Sequence, residues 1–362
     1  EAAYARLRDA LARYRDLAAT GNWPRFPDGP SLKPGAEDSR VQILRRQLAR
    51  LGDLAPAQEV AAARTYDPAV ETAVRRFQRR HGLDDDGIVG QRTRAALNVP
   101  PAARVDQIIV NMERLRWMPP PREPRYLVVN VPAFDLTAFE DGKPVLRMPV
   151  IVGRPSRPTP MFYDHMTEVT FLPSWTAPVK IARRDILPKV KADPEYLERN
   201  RIKVFSDWSA NACEVDPRSI DWASVRPETL VQKFKQEPGP QNALGAIRFT
   251  LENDFDIFLH DTPHKELFAK PVRGFSSGCI RVADAPALAE FVLKENVNWP
   301  RDKIEEAMAG DHTFVVNLTR PVAVQVAYRT AFVEDDGTME FRGDTYGRDR
   351  HLGRLLGLRS AP

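Results

Sequence analysis

Two cysteines among 362 residues cannot build a disulfide framework, so the fold must rest on packing and hydrogen bonds. No run approaches the roughly 20 apolar residues that a spanning helix needs, so this sequence contains no membrane span. The net charge is only +4, without a Lys/Arg cluster interleaved with aromatics, which argues against a nucleic-acid partner. Histidines are few, six in all. His260 and His264 stand four apart beside Asp261, but Pro263 breaks the helix that would bring both rings to one face, and no later His or Glu completes a metal set. The acidic run Asp84-Asp85-Asp86 lacks the acid at Gly82 and the glutamate at Thr93 that a calcium loop requires, and reads as a solvated turn. Neither a metal nor a cofactor is therefore expected. The chain opens on Glu1, not Met, and is expected to be processed or trimmed, with any leader or anchor outside it.

What is present suits a soluble multidomain protein: 43% apolar and 28% charged residues, in a length that exceeds one ordinary core. Ala3, Leu7, Leu11, Tyr14 and Ala18 recur at helical spacing before Gly21. Ser39 heads a capping-box pattern for a second helix over Val41, Leu44 and Leu48, closed by Gly52. Asp67-Pro68 opens a third, running to Gly82, and a short fourth spans about 91–98. Val105, Ile108, Met112 and Leu115 predict a further helix, stopped by the prolines at 119–121.

After Pro124 the texture turns to strands: 126–131, 135–140, 145–152, 166–172, 246–251, 256–260, 313–318, 322–328 and 339–342, with Asp141-Gly142 as a hairpin turn. Between Pro178 and Pro240 this texture stops in favour of charged, helix-compatible sequence such as 181–190 and 194–200, which reads as an insertion into a sheet domain.

The chemistry concentrates between His260 and Val282. The apolar stretch 256–260 reads as a buried strand ending on His260, a rigid mount for an imidazole. Phe275-Ser276-Ser277-Gly278-Cys279-Ile280-Arg281 supplies a thiol in a small, flexible loop, ahead of a helix opened by Asp284 and Pro286. A free thiol has a pKa of about 8.5, so an imidazole that takes its proton activates it at neutral pH. Backbone N–H groups of such a loop can converge on a developing oxyanion. Cys213 is then an ordinary residue.

The Ser-x-Gly-Cys-Ile-Arg stretch with its upstream histidine resembles the active-site signature of the L,D-transpeptidases with a YkuD-type catalytic domain, carried by His260, Ser276, Gly278, Cys279 and Arg281. Ser277 stands where many members have a histidine. Phe77, Gln78, His81, Gly82, Leu83, Asp86, Gly87, Gly90 and Thr93 resemble the core of a peptidoglycan-binding three-helix module. The flanks of the insertion, 171–175 and 238–245, are similar to those of the capping subdomain in long Gram-negative L,D-transpeptidases. The resemblance implies a multidomain α+β protein: a helical scaffold segment (1–38), the three-helix module (39–99), a scaffold helix with a proline-rich linker (100–125), a mainly β catalytic domain (126–345) carrying a helical capping insertion over about 181–240, and a C-terminal tail (346–362).

It further implies Cys279 as nucleophile and His260 as base, with Asp261 orienting the ring and the N–H groups of Ser277, Gly278 and Cys279 holding the oxyanion. Arg281, Ser276, Trp175 and Phe258 would bind substrate. The implied partners are peptidoglycan stem peptides and glycan, with other cell-wall synthesis proteins left open. The implied setting is the periplasm, and the implied inhibitors are carbapenems. Cross-linking through a thioester and hydrolysis of the same stems by a cysteine carboxypeptidase or amidase share the motif.

Overall fold

The computed structural model describes residues 2–56, 64–193 and 195–358. They form two compact units: Glu1–Pro120 with Asn130–Ala133 and Ala327–Pro362, and Pro121–Val129 with Phe134–Val326.

In the first unit α1 (Ala2–Ala19) is followed by α2 (Arg40–Leu51), α3 (Pro68–Arg80), α4 (Gln91–Leu97) and α5 (Pro101–Trp117). The apolar stripes of α2, α3 and α4 close on one core, with Leu44, Leu48, Val74 and Phe77 at its centre. Asp67 caps α3 by accepting the Val70 N–H. The acidic turn is stitched down by Gln78, whose amide donates to Asp86 and to the Ile88 carbonyl and accepts the Gly87 N–H. At α2 the capping reading needs correction. Ser39 is already helical and its side chain caps nothing, while Asp38 accepts the Arg40 N–H instead. Adjacent Asp and Ser offer rival acceptors, and spacing alone cannot choose between them.

The second unit is a β-barrel. Its strands are β1 (Arg125–Asn130), β2 (Asp135–Glu140), β3 (Lys143–Gly153) and β4 (Phe162–Phe171). The chain then enters the insertion, with β5 (Trp175–Thr176), α6 (Val179–Ile181), a π-helical turn (Ala182–Ile186), α7 (Leu187–Ala192), α8 (Tyr196–Arg199), β6 (Ile202–Phe205), β7 (Glu214–Val215) and β8 (Lys233–Gln236). It returns through β9 (Ile247–Leu251), β10 (Leu259–His260), β11 (Gly274–Ser276), β12 (Ile280–Val282), α9 (Ala285–Val292), α10 (Arg301–Ala309) and β13 (Phe314–Ala327). Beyond it, β14 (Ala331–Val333), β15 (Met339–Phe341) and α11 (Arg348–Leu355) belong to the first unit.

The main sheet runs β11-β3-β12-β10-β9-β4-β13-β1-β2, and β2 also pairs with β3, so the sheet closes on itself. Closure removes the exposed edges that an open sheet would leave. Val150, Phe249, Leu259, Ile280 and Val324 are fully buried on these strands.

Several expectations change here. The insertion is not simply helical: β5, β8, β6 and β7 form a four-stranded antiparallel sheet packed with α7 and α8 around Leu187, Val190, Val204 and Phe234. Each strand is too short to show alternation, and lysines on the outward positions of Ile202–Phe205 and Lys233–Gln236 mimic a charged helix face. Its sheet also takes in Trp175 and Thr176, ahead of position 181. The expected strand at 256–260 shrinks to Leu259–His260, because the Asn253 carboxamide accepts the N–H groups of Phe255 and Ile257 and folds the preceding residues into a turn. The two strands expected at 313–318 and 322–328 are one irregular strand, β13. Part of the expected 194–200 helix, residue 194, lies outside the described residues, as does 359–362 of the tail; the rest of that tail includes α11.

Candidate active site

β10 and β12 are parallel neighbours, with Leu259 opposite Ile280 and His260 opposite Arg281. One step earlier the Ile280 N–H donates to the Phe258 carbonyl (3.1 Å), which extends the register to Phe258 opposite Cys279. Side chains alternate along a strand, so Leu259 and Ile280 enter the core while Phe258, His260, Cys279 and Arg281 share the other face. The Phe258 and His260 rings lie 5.6 Å apart on that face. A strand spacing of about 4.8 Å and a rise of about 3.3 Å per residue put the His260 and Cys279 Cβ atoms about 8 Å apart, a gap that their side chains can bridge.

His260 is buried, and its Nδ1 donates to the Asp261 carbonyl (2.5 Å). A carbonyl only accepts, so that bond puts a proton on Nδ1, and the Leu244 carbonyl is a second backbone partner of the ring. Asp261 acts here through its backbone. Its carboxylate accepts the Ala246 N–H (3.0 Å) and pairs with Lys265. Gly245, at φ 62°, passes so close that a Cβ there would sit 2.4 Å from the Asp261 carboxylate, so only glycine fits.

The thiol is partly exposed, with Sγ 3.7 Å from the Asp256 carbonyl; both Cys279 and Cys213 are free. Burial pushes the Cys279 thiol up to about 11. Burial, and then the Arg281 cation, push the His260 imidazole down to about 3. Both cross-strand partners of His260 are arginines, Arg281, whose cation disfavours a second charge beside it, and Arg248, which pairs with Glu168. Both groups therefore rest neutral, a thiol and an imidazole, not a thiolate and an imidazolium.

The loop before the thiol is set by hydrogen bonds that spacing could not reveal. Gly278 has φ 128°, a conformation open to glycine. Its N–H donates to Ser276 Oγ (3.1 Å), so it is spent inside the loop and drops out of the expected oxyanion donors. Ser276 is buried and its hydroxyl donates to the Cys279 carbonyl (2.5 Å), which makes it a brace, not a substrate ligand. The Gly278 carbonyl accepts from Thr159 Oγ1 (2.7 Å), and the Ser276 carbonyl accepts from the Arg154 N–H (3.0 Å). Both carbonyls thus point at the 154–159 loop. In a trans peptide the N–H opposes the C=O, so the N–H groups of Cys279 and Ser277 both point away from that loop.

Arg281 has a buried Nε without a hydrogen-bond partner. Trp175 is not brought to this face: it packs against the core of the insertion and pairs with Gln236. Residues missed in the sequence are Arg154, Arg157 and Thr159. Arg157 donates to Ser277 Oγ (2.8 Å) and pairs with Asp185 of the insertion. Only the Gly153-to-Thr159 run of Gly, Pro, Ser and Thr marked this loop, and such runs occur in every turn.

The closed barrel thus carries an imidazole and a thiol on one strand face. Residues 124–322, more than half of the chain, match the sequence profile of the L,D-transpeptidase catalytic domain known as YkuD, and residues 37–97 match that of a peptidoglycan-binding domain. The chain belongs to the L,D-transpeptidase family. A Haemophilus influenzae protein whose name assigns it to the L,D-transpeptidases is 35% identical over 246 residues, 68% of this chain and 48% of that protein. The chain thus spans about half the length of this curated relative. Among solved structures, an L,D-transpeptidase of Stackebrandtia nassauensis shares 13% identity over 84% of this chain and 98% of that one (TM-score 0.28). One from Mycobacterium smegmatis shares 13% over 56% and 59% (TM-score 0.25).

Proposed function

We propose that the protein is a peptidoglycan L,D-transpeptidase that forms 3→3 cross-links through a thioester on Cys279. The observation that carries this reading is the shared strand face of His260 and Cys279, with the imidazole held through Nδ1 by the Asp261 carbonyl. As Sγ attacks the carbonyl at the L-centre of the third residue of a tetrapeptide stem, His260 takes the thiol proton. The new oxyanion lies against the Ser277 and Cys279 N–H groups, each worth about 3 kcal/mol at such sites. His260 then protonates the terminal D-alanine as it leaves, and a thioester remains. The side-chain amine of another stem's third residue attacks that thioester, gives its proton to His260, and thiol and cross-linked product are regenerated. No metal or cofactor takes part.

Arg281, with its unpartnered Nε, is read as the holder of a stem carboxylate, and Phe258 as a wall of the cleft. Stem peptides and glycan are the proposed partners, the 37–97 module the proposed glycan contact, and the periplasm the proposed setting. Incubation with tetrapeptide-bearing muropeptides followed by mass analysis tests the reading. A cross-linked dimer with release of D-alanine is expected. Tripeptide alone would assign the cysteine hydrolase instead, and a carbapenem adduct mapping to any residue but Cys279 would overturn the nucleophile.

A further inference from the structure

The nucleophile loop is held from outside by a short segment, 154–159, and that segment is in turn held by the insertion. Thr159 is fully buried; its hydroxyl accepts the Gly153 N–H (2.9 Å) and donates to the Gly278 carbonyl (2.7 Å). Arg157 reaches the other way. Its guanidinium donates to Ser277 Oγ (2.8 Å) and forms a two-pronged pair with the Asp185 carboxylate, Nη2 to Oδ1 being 3.2 Å. Asp185 lies on the π-helical turn of the insertion, between Ala182 and Ile186, which are both buried in the insertion's own core. A π turn inside a helix is rare and occurs frequently at functional sites. Here the side chain on that turn is a carboxylate that meets Arg157, which also touches Ser277, two residues before the nucleophile.

We propose that Arg157 is a positioning residue that couples the insertion to the oxyanion donors, through Asp185 on one side and Ser277 on the other. Ser277 contributes one of the two N–H groups that point away from the 154–159 loop, and its peptide plane is tied at both ends. The Ser276 carbonyl is held by the Arg154 N–H, and the Ser277 hydroxyl by Arg157. A charge-assisted, two-pronged Arg–carboxylate pair has a defined plane as well as a length, so it transmits orientation where a lone hydroxyl bond would not. The segment is tightly turned: the Arg157 N–H donates to the Arg154 carbonyl (2.8 Å), and a Cβ at Gly153 would lie 2.1 Å from the Arg157 carbonyl. The oxyanion geometry therefore follows the position of the insertion: where the insertion shifts, Asp185 releases Arg157, and Ser277 loses its tether. The residue that fills the place of the family's second histidine thus works by receiving a hydrogen bond from Arg157.

The proposal rests on the acyl-transfer reading for its kinetic arm alone. Asp185→Asn, Arg157→Ala and Arg157→Lys are compared with the unaltered protein in acyl transfer and in deuterium uptake of the 275–281 peptide. Asp185→Asn and Arg157→Ala are expected to lower kcat roughly tenfold with KM unchanged, since they loosen a donor that acts in the transition state. The double variant is expected to be no slower than Arg157→Ala, and Arg157→Lys to recover part of the rate. Deuterium uptake at 275–281 should rise in Asp185→Asn, although the substitution lies in the insertion. Unchanged uptake, a change in KM alone, or additive losses in the double variant would overturn the coupling. Failure of the unaltered protein to transfer acyl groups would sink the functional reading instead, and the exchange comparison, which uses no substrate, would still decide the coupling.

Discussion

Cys279 and His260 carry opposite pKa displacements, and the sign of each has a consequence. The thiol is pushed up to about 11 and the imidazole down to about 3, so both are neutral throughout the physiological range. Acylation is expected to be flat in pH from roughly 5 to 9, without limbs near the ordinary thiol and imidazole values; rates across buffers check this. Alkylation of Cys279 by iodoacetamide should keep rising about tenfold per pH step well past 8.5, because thiolate is the reactive form. Cys279→Ala should abolish the acyl adduct in the mass spectrum while leaving circular dichroism unchanged. His260→Ala should slow transfer by on the order of 10²–10⁴. For stability, the buried imidazole binds its proton less well folded than unfolded. Its contribution is complete above about pH 6.5 and is lost as pH falls toward 3. His260→Gln is expected to flatten that part of an acid denaturation curve.

At the scale of elements, the β10–β12 pairing and the 154–159 loop together shape the site. The pairing turns two residues distant in sequence into diagonal neighbours on one face, and the loop fixes which way the peptide planes between Ser276 and Cys279 point. Thr159→Val keeps the shape and removes the hydroxyl that joins Gly153 to Gly278, leaving a buried N–H and a carbonyl without that partner. A loss of about 1–3 kcal/mol in chemical denaturation is expected, with a fall in acylation rate. Gly153→Ala should be worse, since the added Cβ meets a backbone oxygen that cannot swing aside. Expression of folded protein, read by thermal melting, checks it.

On the scale of the whole molecule, the chain from Ala327 onward belongs to the helical unit. There Asp349, fully buried, pairs with Arg114 and accepts the Thr330 hydroxyl, while on α5 Asn111 accepts the Thr330 N–H and Gln107 donates to the Thr330 carbonyl. Breaking a buried pair from one side costs about 3–5 kcal/mol, so Asp349→Ala should shift the melting of the helical unit. Alkylation of Cys279, which lies in the other unit, reports whether the barrel is still intact, and it should be. Loss of thiol protection in parallel with that shift would show that the two units melt as one.

How much of this was legible beforehand follows from the range of each interaction. Residue types and short spacings are local, so the sequence alone determined the α2–α4 module, the caps at Asp67 and Asp284, the β texture after Pro124, and Cys279 and His260 as the residues worth a nucleophile and a base. Strand register, peptide-plane direction and charge environment are non-local. Nothing near Gly278 announces that its N–H is taken by Ser276, that Thr159 and Arg157 come from far upstream to grip the loop, or that Arg248 and Arg281 flank the imidazole. The sheet in the insertion was hidden for the same reason: strands of two to four residues acquire their identity from the partners they meet, and only folding supplies those partners.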